Sequence, residues 1–186
     1  TSRYEDDRIS KTKRLFQFSL DIANSYFSFG KLKKAFEFYG TAMKNLHQFS
    51  SCDLSSAQLY SNKGLCCLYL KDYDVADGYF RKVLKYLVER MQDPRKEKLC
   101  MLAYKNLGWI YEIKNNHEKA LSFYVKALKC GLKVHSPDDF ELADVHYQIW
   151  CILLDQNKHF ESMQRLEKVI YMLNREHEQL KEKNNC

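Results

Sequence analysis

The sequence predicts an all-α protein built of antiparallel helix pairs, and three observations carry that prediction. Only two prolines and six glycines interrupt the 186 residues, while apolar residues make up 45% and aromatics 14%. Helices can therefore run long, and there is enough apolar material to fill a core. No two alternating apolar runs are joined by a turn dipeptide, so strands have no support. The third observation is the stretch Met101 to Cys130. Tyr104, Leu107, Gly108 and Tyr111 fall at i, i+3, i+4 and i+7, the polar break Lys114-Asn115-Asn116 follows, and Ala120, Tyr124 and Ala127 fall at i, i+4 and i+7. Each group is one face of a helix. A mid-helix glycine costs about 1 kcal/mol against alanine, which makes sense where another backbone comes close. Ala120 and Ala127 offer the same small surface from the second helix.

This pattern (aromatic, Leu-Gly, Tyr, Ala, aromatic, Ala) resembles the tetratricopeptide repeat, lacking only the proline often found at its end. The resemblance implies helix pairs stacked as a right-handed superhelix, an α-solenoid, with a concave groove for a partner.

Taken in order, residues 1–13 are charged and without apolar period; they read as the solvent-facing start of the first helix or as a ragged end. A first copy then supplies Ile22, Ala23 and Tyr26, the break Phe29-Gly30-Lys31, and Ala35, Tyr39 and Ala42. The second has Tyr60, Gly64 and Cys67, the turn from Lys71 to Asp74, and Ala76, Phe80 and Val83, with Lys63 where leucine is usual. Met101–Cys130 is the third. The fourth has His146, Ile149, Trp150 and Leu153, then Ser162, Leu166 and Val169; Trp150 stands where a small residue is expected, so this pair is either a true repeat or a cap. The expected repeats are 16–50, 57–91, 101–134 and 143–176, with a charged helical tail over 177–186, all in one domain over 1–186.

The copies start near Phe16, Ala57, Met101 and Ala143, spacings of 41, 44 and 42 residues, against about 34 in the common form. Leu84 to Met91 and Leu128 to Lys133 continue the helical pattern, so longer second helices account for the excess. Asp93-Pro94 and Ser136-Pro137 read as caps ahead of a first-turn proline, with Asp138 and Asp139 placing charge where the helix dipole favours it. The period is similar to that of the repeats in kinesin light chains, the Pins/LGN polarity adaptors and the bacterial Rap-type regulators. A first residue of threonine reads as a segment of a larger protein.

In the family the first helix of each pair lines the groove. Beside the packing stripe of each first helix lie Leu20, Asn24 and Phe27; Asn62, Leu65 and Tyr69; Leu102, Lys105, Asn106 and Trp109; and Tyr147 and Gln148. These twelve are the expected partner-binding residues. An amide both donates and accepts, so the row Asn62, Asn106 and Gln148, with Asp21 and Asn24, suits the backbone of an extended peptide. Leu20, Phe27, Leu65, Leu68, Leu102, Trp109, Tyr147 and Leu154 add apolar anchors, of which Trp109 is the hot-spot type. Chaperone-binding relatives clamp a terminal carboxylate with basic residues and two asparagines. Asn24 and Asn62 match the asparagines, but Leu20, Leu102 and Asn106 replace the bases, so that clamp is not expected.

Other classes have less support. The net charge of +6 is spread among interspersed acids, and the expected groove holds Asp21, Glu112, Asp144 and Asp155 beside Lys105, which disfavours nucleic acid. The seven cysteines include no Cys-x-x-Cys; Cys66, Cys67, Cys100, Cys130 and Cys151 read as small buried hydrophobes in a reducing compartment. No metal-type histidine pair and no phosphate-cradling glycine pattern occurs, so no enzyme, metal or cofactor is expected. No run of about 20 apolar residues is present. The expectation is a non-catalytic adaptor, cytoplasmic or else nuclear, that binds a peptide or helix of another protein. An RNA-binding repeat and a self-associating module are the alternatives.

Overall fold

The computed structural model describes residues 2–48, 53–90 and 95–184, and among these every regular element is helical. The helices are α1 (Ser2–Ser28), α2 (Leu32–Leu46), α3 (Asp53–Tyr69), α4 (Tyr73–Arg90), α5 (Arg95–Ile113), α6 (His117–Gly131), α7 (Ala143–Asp155) and α8 (His159–Asn184), with a 3₁₀ turn at Phe140–Leu142. The charged residues 2–13 begin α1, and the charged tail continues α8.

Each pair is closed by the same turn. Gly30, Lys71, Asn115 and Asn157 have φ of 69°, 65°, 55° and 58°, at the 41-, 44- and 42-residue spacings of the sequence repeat. The following residue's N–H reaches back to the preceding helix: Lys31 to the Tyr26 carbonyl (2.9 Å), Asp72 to Cys67 (2.9 Å), Asn116 to Tyr111 (2.8 Å) and Lys158 to Leu153 (2.9 Å). This is the left-handed helix stop, which satisfies carbonyls the helix would leave bare. Asn116 then caps α6, its side chain accepting from Lys119 N–H at 3.1 Å.

Packing divides the chain into two compact units, 1–96 and 97–186. In the first, α1 packs on α2, α2 on α3 and α3 on α4. Its core holds Ala23, Ala35, Tyr39, Ala42, Met43, Leu46, Leu59 and Cys66. In the second, α6 packs on α7 and α7 on α8, around Met101, Tyr124, Leu128, Leu142, Val145, Ile149, Ile152 and Met172. Gly108 lies against the ring of Tyr124 and Gly64 against that of Phe80, so the close approaches expected of α5 with α6 and of α3 with α4 are present. Tyr124 is wholly buried, and its hydroxyl donates to Glu112 at 2.8 Å.

Three details differ from the sequence reading. Helix α4 does run long, but α6 stops at Gly131; residues 132–142 instead form a turn, tied by Lys133 to Glu97 at 2.9 Å and His135 to Asp139 at 3.0 Å. Ser136-Pro137 caps no helix, because the chain turns there and Asp139 caps the 3₁₀ turn, accepting from Glu141 N–H at 3.0 Å. Asp93-Pro94 lies outside the described residues. Ile22, placed on the packing stripe, is exposed, since α2 packs on another side of α1.

Candidate functional site

The groove residues fall into two sets, one in each unit. In the first unit Leu20 and Phe27 of α1 and Asn62 and Leu65 of α3 are half-buried, while Asn24 and Tyr69 are exposed. The structure brings Phe27 and Tyr69 together, ring centroids 5.9 Å apart and tilted by 60°, so residues from successive first helices share one apolar surface. The amides are engaged locally. Asn24 Oδ1 accepts the hydroxyl of Tyr39 at 2.8 Å, and Asn62 Oδ1 accepts from Gln58 at 3.0 Å, which leaves the donor end of each amide for a partner. Leu68 is a correction: it is 2% exposed and lines no groove, because Cys66, Cys67 and Leu68 are consecutive buried residues and α3 is covered on more than one side.

In the second unit Leu102, Lys105, Asn106 and Gln148 are half-buried, and Trp109 and Tyr147 are exposed. Lys105 of α5 donates to Asp144 of α7 at 2.8 Å, so two groove positions on neighbouring first helices are bridged. Tyr147 lies against Trp150, centroids 5.2 Å apart. An open pocket of about 390 Å³ is lined by Lys105, Asp144 and Tyr147 together with Phe140, Glu141, Ala143, Val169 and Leu173. Of the last five, Ala143 opens α7, and the other four belong to the 3₁₀ turn and α8. A reading confined to first helices missed them, and the short turn carries no periodic signal that would have found it.

A second depression, about 570 Å³, lies in the first unit between Lys33, Phe36 and Glu37 of α2, Cys67 of α3, and Leu70, Asp72 and Val75. Beside it Lys63, the residue out of pattern, extends its stem into the core so that Nζ sits 4.0 Å from the Phe36 ring centroid and 5.5 Å from that of Tyr79. Burial lowers its pKa from the ordinary lysine value. An ammonium on aromatic faces is held by the ring quadrupole, which is why lysine replaces leucine there without opening the pair.

Among the described residues no cluster of three or more His, Cys, Asp or Glu could hold a metal ion, and no helix is long and apolar enough to cross a membrane. Cys66, Cys67 and Cys100 are buried and Cys130 and Cys151 half-buried, and none of the five forms a disulfide among the described residues. Burial pushes the Cys66 thiol up to about 12, so it is inert as a nucleophile at neutral pH.

The family model of the tetratricopeptide repeat matches residues 57–86 and 103–129, the α3–α4 and α5–α6 pairs. Those two helix pairs match the tetratricopeptide repeat. Solved structures of the same architecture resemble the chain over most of its length. BtubC (BKLC) from P. vanneervenii has a TM-score of 0.74 at 18% identity, covering 89% of this chain and 66% of that one; the chain thus spans just under two thirds of that structure. MamA has a TM-score of 0.64 at 15% identity, covering 93% and 91%. The TPR-like repeats of a Podosopora anserina protein described as a kinesin light chain score 0.62 at 11% identity, covering 86% and 75%. At these identities the likeness establishes the fold alone, the α-solenoid of helix pairs. No curated protein matches the chain by sequence. Tetratricopeptide repeats generally act as scaffolds between proteins and are typically non-catalytic.

Proposed function

We propose that this chain is an adaptor whose first helices hold a peptide segment or a helix of another protein. The observation that carries the reading is the pocket of about 390 Å³ in the second unit, where the groove residues Lys105 and Tyr147 stand over an apolar floor of Val169 and Leu173. An aliphatic or aromatic side chain of the partner fills that pocket, and Asn106 and Gln148 hold its backbone. In the first unit Leu20, Phe27, Leu65 and Tyr69 give an apolar surface edged by Asn24 and Asn62. The remaining groove residues, Leu102 and Trp109, flank Lys105 on α5. The pairs α1–α2 and α7–α8 are read as the outer repeats of the same series, since they share its turn and spacing. The cytoplasm is the compartment proposed, since Cys66 and Cys67 lie buried as thiols.

RNA is the weaker reading, because Lys105, the basic residue of the set, is neutralised by Asp144, and the expected groove positions include Asp21 in the first unit and Glu112 and Asp155 in the second.

The test is capture of partners by the purified chain beside an Asn106→Ala/Trp109→Ala variant. A protein partner retained by the wild type and lost by the folded variant supports the adaptor reading. Undiminished capture by that variant removes α5 from the site. Capture of nucleic acid alone, with binding that falls steeply with salt, replaces the reading altogether.

A further inference from the structure

Helices α1 and α8 expose faces whose positions are buried or half-buried where they recur in α2, α3, α6 and α7. Counted from the repeat period, the positions of Phe36, Met43 and Leu46 on α2 recur as Leu121, Leu128 and Gly131 on α6 and as Met163, Ile170 and Leu173 on α8. On α2 these side chains join the core shared with α3, and on α6 Leu121 and Leu128 join the core shared with α7. On α8 the same three are 46–53% exposed. The first helices behave reciprocally. Leu142, Val145 and Ile149, the 3₁₀ turn and α7 residues at the junction with α6, are buried to 1% exposure or less, and Ser56 and Leu59 of α3 are buried too. Their counterparts on α1, Leu15, Phe18 and Ile22, are 41–62% exposed. At the internal junctions the paired positions touch: Lys63 lies over Phe36, and Gly131 lies against Leu142. Charge is mixed on the α8 face, where exposed Glu167 and Glu178 stand beside exposed Lys181, while exposed Lys11 and Arg14 share the α1 face; the match rests on the apolar register.

We propose that a second copy of this chain covers these faces, α8 of one copy packing on α1 of the next in the register of the α2–α3 and α6–α7 junctions. Ile22 then meets Met163 as Lys63 meets Phe36. Such a contact joins two different surfaces, so it propagates: copies add head to tail, into an open filament or a closed ring. One position departs from the internal pattern. By register a large residue stands opposite a small one at both internal junctions, Gly131 against Leu142 in contact and Leu46 with Ser56 by position, whereas Leu15 and Leu173 are both large, which makes this junction weaker than the internal ones. The contact shares Leu173 with the pocket of the second unit, whereas Phe18, Ile22, Met163 and Ile170 lie outside the groove residues, so substitutions at those positions test it apart from the adaptor reading.

Sedimentation velocity over a concentration series tests it. The wild type is expected to give a ladder of species beyond the dimer. Phe18→Asp and Ile170→Asp each destroy one face, and each is expected to weaken association at least tenfold. Mixed in equal amounts they are expected to form a one-to-one dimer and nothing larger, since each retains the face the other lost; that also shows both variants folded. Leu15→Ala, which restores a large–small pair, is expected to keep or strengthen assembly. A wild type that is monomeric at every concentration leaves the faces to another helix pair or another partner and overturns the proposal. So does assembly that stops at a dimer, or a loss with Leu15→Ala as deep as that with Phe18→Asp.

Discussion

Replacing Gly108 with alanine tests whether the close approach of α5 to α6 is needed. A Cβ on Gly108 would lie 2.7, 2.8 and 2.9 Å from three atoms of the Tyr124 ring. The ring must retreat by most of an ångström, and it is wholly buried and anchored through its hydroxyl to Glu112. Overpacking of this kind costs about 1–3 kcal/mol, and a strained hydrogen bond to a carboxylate adds to it. Alanine in place of mid-helix glycine returns about 1 kcal/mol. The net expectation is a loss of about 1–2 kcal/mol. Gly64 is the internal control, because its Cβ would meet Phe80 at 3.0, 3.0 and 3.3 Å and that ring has no hydroxyl to hold it. Gly64→Ala is expected within about 0.5 kcal/mol of the wild type, the crowding and the propensity gain nearly cancelling. Urea titration followed by circular dichroism gives both values. Equal effects at the two glycines, or a Gly108→Ala protein as stable as the wild type, would refute the argument that Tyr124 decides the residue opposite it.

Two further outcomes follow from single residues. His146 is buried against Arg165, whose guanidinium donates to Nδ1 at 3.1 Å, and burial, with the charges of Arg165 and Lys168, lowers its pKa from 6.5 to about 4. The unfolded chain then binds a proton that the folded one refuses, so stability falls as pH drops from 6.5 towards 4, by roughly 2–3 kcal/mol at the lower end. Urea midpoints of the wild type should fall over that window by more than those of His146→Leu; parallel curves would show that another group is responsible. Lys71, with a φ of 65°, carries a side chain in a conformation that glycine adopts without strain. Lys71→Gly is expected to raise stability by about 0.5–1 kcal/mol, and a lower urea midpoint would contradict this.

The helix pairs were legible because their signal is periodic. Tyr104, Leu107, Gly108, Ala120, Tyr124 and Ala127 place two faces and one close approach with no reference to the rest of the chain. What escaped was decided by particular local geometry. The 3₁₀ turn at Phe140–Leu142 depends on a cap by Asp139, three residues after the Ser136 that looked like the cap, and it supplies part of the pocket wall. Leu68 sits on a spacing that suits a groove, but a helix covered on more than one side buries it. Tyr39 and Tyr124 occupy one position in their repeats yet give their hydroxyls to Asn24 and Glu112 respectively. A pattern of residue types does not encode that choice, because the neighbour that accepts each bond differs between copies.

Both tryptophans of the chain, Trp109 and Trp150, lie in the second unit. Indole fluorescence therefore watches residues 97–186 alone, while far-ultraviolet ellipticity reports helices throughout. Coincident denaturation curves from the two signals would mean that both units melt as one cooperative body, and separated curves that one outlasts the other. With Trp150→Phe the remaining emission comes from Trp109 on α5, giving an optical titration of whatever the groove receives with no label attached.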